Sequence, residues 1–159
     1  AEMSIEKVKE YLKQWDKDNA VLEFDVSSAT VDLAAQALGV IPARIAKTLS
    51  FKSPEGCLLV IAAGDARIDN SKFKNQFGFK AKMLNPDEVK CFTGYEVGGV
   101  CPFAIQNSQV KTYADISLQR FVTVFPACGT SNSAIELTCK ELFDYSGSCS
   151  WVDVCKGWE

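Results

Sequence analysis

Two strand-like runs, Lys47 to Phe51 and Cys57 to Ala63, flank the turn-forming sequence Ser53-Pro54-Glu55-Gly56, and together they predict a β-hairpin near the middle of the chain. Helices and further strands interleave around it. Ser4 reads as the N-cap of an amphipathic helix in which apolar Ile5, Val8, Leu12 and Trp15 recur at helical spacing while Lys7, Lys9, Lys13 and Lys17 take other positions. Val21 to Val26 alternates like a strand, and alanine-rich Val31 to Leu38 reads as a helix stopped at Gly39. Pro42 suits a first helical position, so a short turn should deliver the chain to Lys47, where helix gives way to strand. Ser71 to Phe77 reads as a helix, and Asn85-Pro86-Asp87-Glu88 as a helix start with an Asn cap, an early proline and an acid at the third position. Gly94 to Phe103 holds three glycines and a proline, too dense for a regular element. Val110 to Ala114 and Phe121 to Phe125 read as strands, Gly129 to Ser133 as a polar loop, and Thr138-Cys139-Lys140-Glu141 as a capping box opening a last helix. No long linker or internal repeat separates these elements, so one α/β or α+β domain over residues 1–159 is expected.

The chemistry open to such a domain is narrowed by the complete absence of histidine. That removes the commonest general base and the commonest zinc ligand together, and with them serine or cysteine catalysis of the histidine-assisted type. Seven cysteines form an odd set with no CxxC pair, so reduced thiols are expected rather than a disulfide framework or a metal site. No metal and no cofactor are expected, and no phosphate-loop or dinucleotide fingerprint is present. With 159 residues, 47% of them hydrophobic and 23% charged, the chain can bury roughly 68–70% of its unfolded surface without staples. No run approaches the ~20 apolar residues of a membrane helix and no signal-peptide layout opens the chain, which predicts a cytoplasmic protein with no membrane partner. A net charge of −3 argues against broad, non-specific nucleic-acid binding, so a nucleic-acid partner would meet a local basic patch.

Two features carry potential chemistry. Gly98 and Gly99, followed closely by Pro102, can expose backbone N–H groups in a rigid loop, donors able to hold a carbonyl or stabilise an oxyanion. The glycines by themselves fit a tight turn joining two elements better. Lys47 stands in an apolar neighbourhood, Ile45-Ala46-Lys47-Thr48-Leu49, where an inward ammonium requires a polar or anionic partner, although a lone strand lysine is more often solvated. Cys101 lies inside the glycine loop but has no histidine to activate it, so a bland loop thiol is the preferred reading. Trp15, Phe24 and Phe51 read as core, and Phe103, beside the loop, as a pocket candidate. The lysines of the first helix, or Arg44 with Lys52, Lys72 and Lys74, are the positions that could meet nucleic-acid phosphates; most such lysines are solvated faces.

Taken in order, Ala34-Ala35, Leu38-Gly39-Val40, Ile45-Ala46-Lys47-Thr48-Leu49, Ala63-Gly64-Asp65-Ala66-Arg67, Thr93-Gly94-Tyr95, Gly98-Gly99-Val100-Cys101-Pro102-Phe103 and Ile135-Glu136-Leu137 resemble the YbaK/ProX family. Its members are free-standing relatives of the editing domain inserted in bacterial prolyl-tRNA synthetases. The resemblance implies a mixed, barrel-like β-sheet flanked by helices and a trans-editing activity: hydrolysis of mischarged aminoacyl-tRNA without metal or covalent intermediate. It implies that Lys47, Gly98 and Gly99 are catalytic, with Gly98 to Pro102 as the family's GxxxP loop. Thr48, Val100, Cys101, Pro102, Phe103, Gly129, Thr130 and Ser131 would then bind substrate. The implied partners are the acceptor end of a mischarged tRNA and an aminoacyl-tRNA synthetase. Some relatives carry an acid where this chain has Ala134, and a basic loop where it has Thr130-Ser131-Asn132-Ser133, which leaves open alanine, cysteine, serine, threonine or a small non-protein amino acid, on tRNA-Pro or another tRNA. The rival expectation is a catalytically silent module of the same fold that binds tRNA or a synthetase; retention of both Lys47 and the glycine loop favours the enzyme.

Overall fold

The fold is described by a computed structural model covering residues 2–159. Helix α1 (Glu2–Leu12) buries Ile5, Val8 and Leu12, the face anticipated from their spacing. It begins before Ser4, which lies inside the first turn rather than capping it, because Glu2 and Met3 are themselves good helix formers. Trp15 follows in a 3₁₀ turn and stacks on Tyr145 at 4.1 Å between ring centroids. The expected strand from Val21 to Val26 shrinks to β1 (Leu22–Glu23). Its partner offers only two residues of register, after which Phe24 N–H bonds to the Asn132 carbonyl of a turn.

Helix α2 (Val31–Leu38) starts and stops as its sequence dictates: Thr30 accepts from the Leu33 N–H, and Gly39 adopts φ +70 at the C-terminus. A 3₁₀ turn, Pro42–Arg44, leads into β2 (Ile45–Ser53), which pairs antiparallel with β3 (Gly56–Ala63) around the two-residue turn Pro54-Glu55. This is the predicted hairpin, longer at both ends. The chain then forms β4 (Arg67–Ile68), α3 (Asn70–Phe77), and α4 (Pro86–Thr93) under a complete Asn85/Glu88 capping box. After an irregular stretch come β5 (Val110–Asp115), a 3₁₀ turn (Ile116–Arg120), β6 (Thr123–Pro126), β7 (Ser133–Ala134) and β8 (Leu137–Thr138). Helix α5 (Cys139–Tyr145), opened by the expected Thr138/Glu141 box, β9 (Trp151–Val152) and β10 (Cys155–Lys156) complete the chain. The strand anticipated from Phe121 begins two residues late because the Phe121 N–H is spent on the Leu118 carbonyl, closing the 3₁₀ turn.

Six strands form one curled, mixed sheet in the order β8-β6-β2-β3-β5-β9, a half-barrel carrying the helices, while β1–β7 and β4–β10 make two-stranded clasps. The fold is thus mixed α/β, as anticipated. Strand β3 is buried along almost its whole length, with Val60 and Ala62 joining Val8, Phe73, Leu118 and Leu142 in the main core. Burying each large side chain there contributes about 1.5–3 kcal/mol. Ala34 and Ala35 of α2 pack instead on Ile45 and Phe125, and Val89 of α4 on Cys57 and Leu59. These two satellite clusters leave a cleft between them along β2.

Candidate active site

Lys47 is the third residue of β2, where its backbone is paired with Ala62 of β3. Its ammonium donates to the Ala66 carbonyl and, at 3.4 Å, to the Gly64 carbonyl. Both acceptors belong to one tight turn, closed by Ala66 N–H on Ala63 O at 3.0 Å. Side chains from distant parts of the chain hold that turn. Ser117 Oγ accepts from Ala63 N–H at 3.1 Å, and Arg120 grips Asp65 bidentately at 2.6 and 3.0 Å. Arg120 also donates to Ser117 O at 2.9 Å and to Trp158 O at 3.0 Å, and lies over the Trp158 ring. A bidentate guanidinium–carboxylate pair fixes direction as well as distance.

The charges are arranged accordingly. The Arg120 hydrogen bonds draw the Asp65 carboxyl below its usual pKa. Partial burial draws the Lys47 ammonium below the ordinary lysine value, opposed by the fields of Cys155 and Asp65. Lys47 should therefore titrate below the ~10.4 of a free lysine, and Asp65→Asn should lower it further by removing a supporting negative charge. NMR titration of the Lys47 Cε/Nζ resonances measures both. In the window between the folded and unfolded values only the unfolded chain keeps this proton, so the contribution to stability rises with pH there.

Lys47 stands on the wall of a cleft of about 340 Å³ running along β2 between α2 and the Val97 to Val100 loop. Small or apolar residues dominate its walls, among them Ala34, Ala46, Val97, Phe125, Ala127 and Ala134, with Ser28, Thr48, Ser50 and Ser133 adding hydroxyls. Lys47 is the one charged residue lining it among the described residues. A volume of this order suits a small acyl group with part of a sugar.

The aminoacyl-tRNA editing domain profile matches residues 26–145 of this chain. The chain belongs to the aminoacyl-tRNA editing domain family. It is 54% identical over 158 residues to the uncharacterized protein YwhH of Bacillus subtilis (strain 168), covering 99% of this chain and 100% of that one. A proline–tRNA ligase of Exiguobacterium sibiricum is 30% identical over 130 residues, 80% of this chain but only 22% of the ligase. A crystal structure described as a candidate trans-editing enzyme for prolyl tRNA synthetase superposes with a TM-score of 0.86 at 30% identity, covering 97% of this chain and 98% of that one.

Within this editing domain the residues singled out in the sequence separate into two groups. Lys47, Thr48, Gly98 and Val100 line the cleft. Gly98 adopts φ +97 with the Ala29 side chain close by, and the turn it makes is closed by Gly99 N–H on Glu96 O at 3.0 Å. Gly99 therefore offers no free N–H to a substrate. A Cβ there would lie 2.9 Å from the Thr130 backbone, so its role in the fold is close packing. Cys101, Pro102 and Phe103 do not reach the cleft. They are buried beneath α1, where Tyr95 Oη donates to the Phe103 carbonyl and Tyr11 lies against the Phe103 ring. Gly129, Thr130 and Ser131 stand behind the cleft: Gly129 faces Tyr95 and α1, Thr130 Oγ1 bonds Ser133 Oγ at 2.8 Å, and the Ser131 carbonyl accepts from Ser28 N–H at 2.6 Å. Ser28, Met83, Phe125 and Ala127 also line the cleft but carry no local signal, because only the long-range pairing of β1 with β7 and of β2 with β6 assembles them.

Burial pushes the Cys101 thiol up to about 12, which keeps it protonated at neutral pH. Cys101→Ser is expected to retain deacylation within a few-fold, although the hydroxyl needs a partner in an apolar site. A loss of a hundredfold with unchanged unfolding would point to thiol chemistry. No three His, Cys, Asp or Glu side chains gather as a ligand set among the described residues. The basic side chains that could face phosphates are largely engaged: Lys9 with Glu23, Lys13 with Glu10, Lys17 with Glu141, Lys52 with Glu88, Lys72 with Asp153 and Arg44 with Glu136. Among the described residues no helix is long and apolar enough to cross a membrane.

Proposed function

We propose that this editing domain acts in trans as a deacylase, hydrolysing the ester that links a small, wrongly attached amino acid to the 3′ end of a tRNA. The observation that carries the reading is a single ammonium, Lys47, held by two carbonyls on the wall of a small-residue cleft that contains no carboxylate among the described residues. Such a cleft provides positive charge where negative charge develops and a wall of alanines that limits the acyl group, and it provides no protein general base. An aminoacyl ester is already activated, so positioning and electrostatic stabilisation suffice, with water attacking and the vicinal hydroxyl of the substrate assisting proton transfer. The relatives named as proline–tRNA ligases make tRNA-Pro the first substrate to examine. Neighbouring amino acids differ by only ~1–3 kcal/mol per methylene, which is the reason synthetases use a second sieve at all.

The test is a panel of tRNA-Pro and other tRNAs charged with radiolabelled alanine, serine, cysteine, threonine or proline. Hydrolysis of at least one mischarged species well above the spontaneous rate, unaffected by exhaustive chelation, is expected. Tight binding of the same tRNAs with every ester left intact would instead identify a binding module.

A further inference from the structure

The hairpin fixes the phase of every hydrogen bond along β2. Because Ser53 and Gly56 close a two-residue turn, Ser53, Phe51, Leu49 and Lys47 direct their N–H and C=O groups toward β3. The intervening residues direct theirs to the opposite edge. Two bonds confirm this phase: Lys52 N–H reaches Lys82 O at 2.8 Å, and Ser50 O accepts from Leu84 N–H at 3.2 Å. Farther back, β6 occupies the same edge, but only opposite Ile45 and Ala46. Thr48 lies in the interval between these two neighbours. Its N–H and C=O point into that gap and find no partner among the described residues, although the residue is half-buried and lines the cleft. A strand residue with both backbone groups unpaired leaves a donor and an acceptor open to whatever occupies the cleft.

We propose that the Thr48 backbone is a two-point docking site for an α-aminoacyl group, its N–H donating to the acyl carbonyl and its C=O accepting from the α-ammonium. This rests on the deacylase reading and specifies which part of the substrate that cleft recognises. An α-aminoacyl ester carries its nitrogen and its carbonyl on either side of one Cα, the arrangement of a single strand residue. One such residue bonds both groups of the residue opposite in an antiparallel pair. The substrate completes the missing rung of the sheet edge. No carboxylate lines the cleft among the described residues, so a backbone carbonyl is the acceptor at hand for the ammonium. Recognition through the main chain also leaves the acyl side chain to be sorted separately, by the alanine wall.

The probe is the non-hydrolysable amide 3′-alanylamino-3′-deoxyadenosine, titrated into ¹⁵N-labelled chain and compared with its propionyl counterpart, which lacks only the amino group. The Thr48 amide proton is expected to move downfield and exchange more slowly with the alanyl compound, and the propionyl compound to bind at least tenfold more weakly. Shifts at Gly98, Val100 and Ala127 without one at Thr48, or equal binding of both compounds, would overturn the docking site while leaving the cleft as the binding region. No shift anywhere along the cleft with either compound would overturn the deacylase reading and the docking site with it.

Discussion

Lys47→Ala is expected to unfold as cooperatively as the wild type and to hydrolyse mischarged tRNA on the order of a hundred- to a thousandfold more slowly. The ammonium is already oriented by the Gly64 and Ala66 carbonyls before any substrate arrives, so the rate loss should match that of removing one preorganised electrostatic contact. The stability change should be small, because the Lys47 side chain is only half-buried and truncating it leaves space through which water can reach the carbonyls it held. Lys47→Arg should fail as well, since the planar fork is larger than the compact charge that the turn accommodates. Single-turnover deacylation alongside thermal unfolding separates the two quantities. Wild-type turnover in Lys47→Ala would remove this residue from the mechanism.

Gly64→Ala should cause the largest stability loss of any single methyl group added to the chain. A Cβ at this position would lie 2.1 Å from the Pro42 carbonyl oxygen and 2.7 Å from a Val31 methyl, so the turn, the 3₁₀ segment and the start of α2 would all have to part. Overpacking of this severity costs on the order of 3 kcal/mol. Because the Gly64 carbonyl also holds the Lys47 ammonium, the deacylation rate of the folded fraction should fall with it. Gly39→Ala serves as the comparison. That position has φ +70 but open space around it, so only the left-handed backbone cost of about 1–2 kcal/mol should appear, with activity unchanged. Urea unfolding gives both values; a Gly64→Ala chain as stable as the Gly39→Ala chain would contradict the packing described for this turn.

What the sequence made legible follows the range of the physical cause. Caps act within four residues, so Gly39, Asn85 and Thr138 marked their helices, and Pro54-Glu55 marked the hairpin turn. The two-residue strands β4, β7, β8, β9 and β10 carry no local pattern, since their pairing is imposed by neighbours far along the chain. The same division runs through the site. Lys47 and Gly98 stood out through local composition, whereas Asp65 and Arg120 did not, their meeting depending on how the 3₁₀ turn after β5 approaches the Gly64 turn. The run Gly98 to Phe103 was read as one loop facing substrate. It turns inward at Cys101, where an apolar Cys-Pro-Phe sequence gains more by burial under α1 than by facing a cleft. The vacancy at Thr48 could not be read locally at all, because it is defined by where β6 and the 82–84 segment stop.

The most direct measurement is a crystal structure of the wild-type chain with 3′-alanylamino-3′-deoxyadenosine bound. The alanyl group should lie along β2 between Thr48 and the Gly98–Val100 loop, with its carbonyl within reach of the Lys47 ammonium and its methyl against Ala127 and Ala134. An alanyl group seated anywhere else on the chain, with the cleft beside Lys47 open, would contradict the assignment of this cleft as the site of ester hydrolysis.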